Sequence, residues 1–217
     1  MENSSKEIRS LEGQIRVGTG RTISGTAIVF NKPSQLLESG GKFFREIILP
    51  SALANGFVDT QDICALWNHD DSNGVLARSR NGIGTLSLTV DEYGLKYSFE
   101  ALNTSLGNEV LEALKSENVF GSSFAFVVKS DRFEKQKDGT FVRYISAFER
   151  LIDVSVVVNP AYLASTATAR SMAGLTPANN PDDLKAYYAK LDRELADIRS
   201  KGCPSDEYYQ NLRNQLK

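Results

Sequence analysis

Two short runs carry the groups that could do chemistry. His69, the one histidine among 217 residues, sits in Leu66-Trp67-Asn68-His69-Asp70-Asp71. Two adjacent serines sit in Phe120-Gly121-Ser122-Ser123-Phe124-Ala125-Phe126. A serine attacks a carbonyl only when a neighbouring base takes its proton, and near neutral pH that base is usually histidine. Any serine–histidine chemistry in this chain therefore runs through His69. A lone histidine is more often a packed loop or core residue, so the case rests on its surroundings.

Strand alternation separates the two serines. Over 119–129, Phe120, Ser122, Phe124, Phe126 and Val128 share one face, while Val119, Gly121, Ser123, Ala125 and Val127 share the other. The aromatic face reads as core, which buries Ser122. Ser123 falls between Gly121 and Ala125, where small neighbours leave room for a substrate. Residues 151–158 repeat the pattern: Ile152, Val154, Val156 and Val158 face the core, and Asp153 and Ser155 face away. An aspartate in such a strand is costly unless it is exposed or hydrogen-bonded. It reads either as a solvent-facing residue or as the carboxylate that orients His69 and stabilises its protonated ring. Glu149 competes for that role, and Asp70 and Asp71 are left to hold the loop. The resulting order is His69, Ser123, Asp153, with no GxSxG elbow. A cysteine hydrolase built on Cys64 and His69 is a rival reading, although Cys64 sits in an apolar run beside Trp67 like a core thiol.

The elements that position these groups are mostly strands. Residues 13–31 read as one or two strands ending at Asn31-Lys32-Pro33, and 43–49 as another before Pro50. Ile63–Trp67 is a short strand that places His69 at its end. Leu86, Leu88 and Val90 alternate with polar residues up to an Asp91–Gly94 turn, and Leu95, Tyr97 and Phe99 alternate on the return, which predicts a hairpin. A helix is predicted over 104–117, capped by Thr104, with Leu106, Val110, Leu111 and Leu114 as its apolar stripe. The strand at 119–129 leads to a polar tip at 135–139, then two further strands at 141–148 and 151–158, the last stopped by Asn159-Pro160. The expected division is a catalytic domain over 1–163, a small-residue linker over 164–180, and a helical tail over 181–217. In that tail Leu184, Tyr188, Leu191, Leu195 and Ile198 form a heptad seam.

Composition narrows the classes. With 41% hydrophobic residues and a net charge of −2, the chain has enough apolar material for one domain and no basic footprint for nucleic acid. No apolar run approaches a membrane span, and Met1–Lys6 lacks the apolar core of a signal peptide, so a cytosolic location is expected. Cys64 and Cys203 fit neither a disulfide framework nor a zinc site, and no P-loop or GxGxxG is present. No cofactor or metal is expected.

Taken together the runs resemble the prohead (capsid maturation) serine proteases of tailed bacteriophages, distant relatives of the herpesvirus assemblins. The resemblance rests on Gly25–Asn31, Phe44–Pro50, Leu66–Asp70, Gly84–Leu88 with Gly94-Leu95, Gly121–Phe126 and Leu151–Tyr162, in order across 20–165. It implies that His69 is the general base, and that Ser123, the serine before the phenylalanine, is the nucleophile. Asp153 stands where the assemblins carry a second histidine, and Glu149 keeps that third assignment open. The assemblin arginine pair is replaced by Asn159-Pro160, so the oxyanion donors are unassigned, and Ala125 stands where the phage motif usually has glycine. The implied fold is a closed, mostly antiparallel β-barrel with flanking α-helices. The implied role is cutting scaffolding protein or scaffolding segments, and the protease itself, inside the immature capsid in the host cytoplasm. Scaffolding protein and major capsid protein would be its partners, with self-association open. A catalytically inactive, protease-like structural protein of the capsid is the alternative.

Overall fold

The structure, a computed structural model, describes residues 6–11, 15–39, 42–137 and 139–158. Their regular elements, in chain order, are β1 (Glu7–Leu11), β2 (Ile15–Val17), β3 (Thr22–Val29), β4 (Leu37–Ser39), β5 (Lys42–Ile48) and β6 (Asp62–Trp67), then β7 (Ala77–Arg80), β8 (Ile83–Gly84), β9 (Ser87–Val90), β10 (Gly94–Glu100), α1 (Ser105–Lys115), β11 (Gly121–Lys135) and β12 (Phe141–Val157). Two turns of 3₁₀ helix, Pro50–Leu53 and Phe57–Thr60, join β5 to β6.

The spine is the antiparallel pair β11–β12, strands of 15 and 17 residues. One larger sheet runs β1-β11-β12-β6-β7-β8, with β5 also paired to β12 and β4 to β5; a second runs β2-β3-β10-β9. β12 is longer than either neighbour on its second edge, so it pairs in parallel with β5 along Phe141–Ile145 and with β6 along Asp153–Val156. Both sheets contribute to one core. Ile23, Ile28, Leu95, Tyr97 and Phe99 come from the smaller sheet, and Phe124, Phe126, Phe148, Leu151 and Val154 from the larger. On β11 Phe126 stacks on Phe124 and on Phe148 of β12, with ring centroids 5.1 and 4.6 Å away, which fixes the inner face of that strand.

The closed barrel does not form. Closure needs the outermost strands to find each other at one consistent shear. Among the described residues β1 pairs only with β11 and β8 only with β7, so the sheet stays open at both ends. Alternation of residues identifies strands and faces but carries no information on which edges meet. The fold is mainly β with a single α-helix among the described residues, in place of several flanking helices. The helical tail and the linker expected beyond 163 lie outside the described residues.

Other expectations meet the structure more closely. The hairpin β9–β10 turns at Asp91, whose carboxylate accepts the Tyr93 and Gly94 N–H groups at 2.9 and 3.1 Å. Gly94 has φ +155, and a Cβ there would stand 1.8 Å from the Ile28 carbonyl oxygen, so this close approach to β3 requires glycine. Helix α1 starts at Thr104, whose hydroxyl accepts the Gly107 N–H at 3.1 Å, and buries Val110, Leu111 and Leu114. The two strands read over 141–158 are one. Exposed Glu149 and Arg150 lie where the register shifts, so the strand bends at β-bulges there instead of ending. A further shift between Ala125 and Phe126 puts Leu151, and not Ile152, in the core, while Asp153 remains opposite Ala125.

Strand β1 was not foreseen. Its Glu7 and Arg9 are polar residues 1% and 9% exposed. Arg9 bonds Glu46 of β5 through two nitrogens at 2.9 Å each, and Arg143 of β12 bonds Glu7 at 2.7 and 3.0 Å. Arg143 also meets Glu46 and Asp131. Burial works against both guanidinium charges, but the surrounding carboxylates outweigh it and hold both pKa values above the ordinary arginine value.

Candidate active site

His69 is aimed by the backbone that follows β6. Asn68 and His69 have φ of 52° and 61°, two consecutive left-handed residues that carry no glycine. Each costs on the order of 1–2 kcal/mol relative to extended or right-handed backbone. The turn is held by bonds to the neighbouring strand. The Asn68 N–H donates to the Val156 carbonyl at 2.9 Å, and the Asn68 side-chain oxygen accepts the Val158 N–H at 3.0 Å. Asp70 steadies the far side by accepting the Ser72 N–H at 2.9 Å, the loop-holding role read for it from the sequence. The chain thus doubles back at the end of β6, and the imidazole lies over β12 and β11.

The other groups come from register. Ser10, Ser123 and Ser155 stand opposite one another on β1, β11 and β12, and Asp153 stands opposite Ala125. His69 Nδ1 is 2.6 Å from Asp153 Oδ1, and His69 Nε2 is 2.6 Å from Ser123 Oγ. With Nδ1–H donating to the carboxylate, Nε2 is left as an acceptor facing the serine hydroxyl. Asp153 is fully buried and His69 nearly so. Burial pushes the Asp153 carboxyl up. The hydrogen bond and charge of His69, the Ser155 hydroxyl and the Lys6 ammonium pull it down further, and the net value lies below the ordinary one, so the group is a carboxylate at neutral pH.

The three residues singled out in the sequence are therefore brought together. Glu149 is exposed, and the carboxylate at the imidazole is that of Asp153. Ser122 behaves as its parity implies: it is buried on the aromatic side, with its hydroxyl donating to the Tyr97 hydroxyl at 3.1 Å. Cys64 stands opposite Asp153 on β6, half-buried, and burial raises its thiol pKa, the opposite of an activated thiolate. The expectation of open space at Ser123 fails. Ser123 is fully buried, because β1 lies against it.

Four partners were missed. Ser155 Oγ donates to Asp153 Oδ1 at 2.7 Å and lies 3.2 Å from His69 Nδ1. Its place on the Asp153 face was visible in the alternation. Lys6 Nζ lies 3.5 Å from Asp153 Oδ2, an oxygen with no hydrogen bond of its own. Ser10 Oγ donates to Ser123 Oγ at 3.0 Å, and the Arg9 carbonyl oxygen is 2.8 Å from Ser123 Oγ. Nothing local in Lys6–Ser10 signals these contacts, which depend on a strand pairing across more than a hundred residues. No cluster of three or more His, Cys, Asp or Glu able to hold a metal occurs among the described residues.

A serine hydroxyl, an imidazole and a buried carboxylate bonded in series on a β scaffold make up the arrangement used by serine hydrolases. The family comparison agrees with that class. Residues 5–177 match the model of the caudovirus prohead serine protease, which is most of the chain, and the chain belongs to that family. It is a serine protease of the viral prohead. No curated protein and no solved structure matches the chain.

Proposed function

We propose that the chain is a serine endopeptidase in which Ser123 is the nucleophile, His69 the general base and Asp153 the group that orients His69. The reading is carried by one observation: the unbroken pair of 2.6 Å contacts from Asp153 through the two ring nitrogens of His69 to Ser123 Oγ. In the first step the Ser123 proton passes to Nε2 as Oγ bonds the scissile carbonyl carbon, and the carbonyl electrons move onto its oxygen. Collapse of that intermediate breaks the C–N bond, and His69 returns the proton to the leaving amine. Water then attacks the acyl-enzyme by the same route, with His69 again as base. Asp153 holds the Nδ1–H tautomer and stays ionised throughout, in keeping with its lowered pKa.

The substrates that fit a prohead protease are scaffolding protein or scaffolding segments, with the major capsid protein as neighbour in the shell. The small, polar run at 164–180 is the proposed site of self-cleavage. Intact masses of the capsid and scaffolding proteins, and of the protease itself, after co-expression with wild type or Ser123→Ala test both statements. Truncated products with wild type alone are expected. Full-length products with both, in assembled shells, would overturn the enzymatic reading in favour of a structural one. An uncut protease beside cut scaffold would remove self-cleavage alone.

A further inference from the structure

We propose that Ser10 is a catalytic residue, the hydroxyl donor that stabilises negative charge on the nucleophile and then on the carbonyl oxygen. The proposal rests on the assignment of Ser123 as nucleophile. The Ser123 hydroxyl has one proton and two lone pairs. Two acceptors face its proton, His69 Nε2 at 2.6 Å and the Arg9 carbonyl at 2.8 Å. One donor faces its oxygen, the Ser10 hydroxyl at 3.0 Å. As the proton moves to His69, Oγ gains charge and the Ser10 O–H is already aimed at it. When Oγ bonds the carbonyl carbon, the charge moves two bonds further, to the carbonyl oxygen, within the sweep of the same rotatable hydroxyl. Ser10 keeps its own proton throughout. Donors fixed where charge develops, in a site shielded from water, are the strongest kind of electrostatic help an enzyme gives.

The buried ion network explains why Ser10 is held there. Side chains alternate along β1, so Glu7 and Arg9 face the core opposite Phe126 and Phe124, while Ser10 faces the site opposite Ser123. A slip of one residue would reverse every side chain of β1. It would also pull Glu7 from Arg143 and Arg9 from Glu46, breaking two ion pairs between buried groups. The ion pairs therefore fix the register that aims the hydroxyl.

The test uses Ser10→Ala, Ser10→Cys and Ser10→Thr in the full chain, with Ser123→Ala as reference. The rate of labelling by a fluorophosphonate probe is followed, since its P–O oxygen takes the place of the oxyanion. Thermal midpoints are measured alongside. Wild type is expected to label at Ser123, and Ser123→Ala not at all. Ser10→Ala and Ser10→Cys are expected to label about a hundredfold more slowly, with midpoints close to wild type. Ser10→Thr, which keeps the hydroxyl and suits a strand, is expected to stay within about tenfold of wild type. Labelling of Ser10→Ala or of Ser10→Cys at the wild-type rate would overturn the role of Ser10 and leave Ser123 intact as nucleophile. Absence of label at Ser123 in the wild type would overturn the nucleophile assignment, and Ser10 with it.

Discussion

Replacing Asp153 by asparagine separates orientation from packing at the site. The side chain keeps its volume and loses its charge. Asp153 Oδ1 takes the Nδ1–H of His69 at 2.6 Å, and that bond leaves Nε2 free to accept from Ser123. An asparagine can turn its NH₂ toward the ring, at the place of Oδ1 where Ser155 also bonds, which puts its oxygen at the place of Oδ2 beside Lys6. The imidazole must then carry its proton on Nε2, where it can no longer take one from Ser123. In triads of this chemistry the wrong tautomer costs about 10⁴-fold in kcat, which is about 5.5 kcal/mol of transition-state stabilisation at 1.36 kcal/mol per decade. The fold should survive, because asparagine has the size of aspartate and the ammonium that loses its partner at Oδ2, that of Lys6, is exposed. The assay is the rate of scaffolding-protein cleavage together with the imidazole nitrogen spectrum, which reports one residue because His69 is the only histidine. The expected result is loss of cleavage with the ring proton moved from Nδ1 to Nε2 at an unchanged melting temperature. More than about a tenth of wild-type activity, or an unmoved ring proton, would refute the reasoning.

Two further outcomes test the scaffold. Burial, only partly offset by the bond from Ser122, raises the Tyr97 pKa from 10.0 to about 12. The unfolded chain therefore gives up this proton first. The stabilisation is whole below pH 10 and is lost as pH rises toward about 12, which amounts to about 3 kcal/mol. Tyr97→Phe should flatten that alkaline limb of a urea-midpoint profile, and an unchanged limb would show that another group controls it. Arg143→Met removes the cation that Glu7, Glu46 and Asp131 share, leaving Glu7 and Glu46 with Arg9 alone of the two buried guanidinium groups. Removing one partner of such a buried set costs about 3–5 kcal/mol, so a urea midpoint near that of wild type would mean that water or a rearranged Arg9 satisfies the carboxylates.

What could be read in the sequence was whatever depends on near neighbours. Thr104 and the apolar stripe after it make a helix by local bonding, and the alternation from Leu86 to Phe99 makes a hairpin around a tight turn. Parity alone distinguished Ser122 from Ser123 and put Asp153 and Ser155 on one face. The failures share a different cause. Glu7 and Arg9 look like surface residues, because the charges that allow their burial, Glu46 and Arg143, lie 37 and 136 residues away. Glu149-Arg150 looks like a break because a bulge and a turn draw on the same polar residues. The open sheet, in place of a barrel, was hidden for a related reason: edge pairing is a relation between distant strands, and neither β1 nor β8 carries a local sign of what lies beyond it.

The pairing of β1 with β11 also has a consequence in time. The chain makes Ser10 first and must add 113 residues before Ser123 exists to meet it. It must then add β12 before His69 has its carboxylate. At ribosomal rates that interval is on the order of ten seconds. Throughout it the earliest strand has no sheet to join, yet Lys6, Glu7 and Arg9 leave it too charged to pair with itself or with neighbouring chains. The same residues that later lock the register thus keep the nascent segment soluble. No fragment of the chain short of β12 holds Ser123, His69 and Asp153 together, so under the proposed assignment proteolysis waits until β12 has been made.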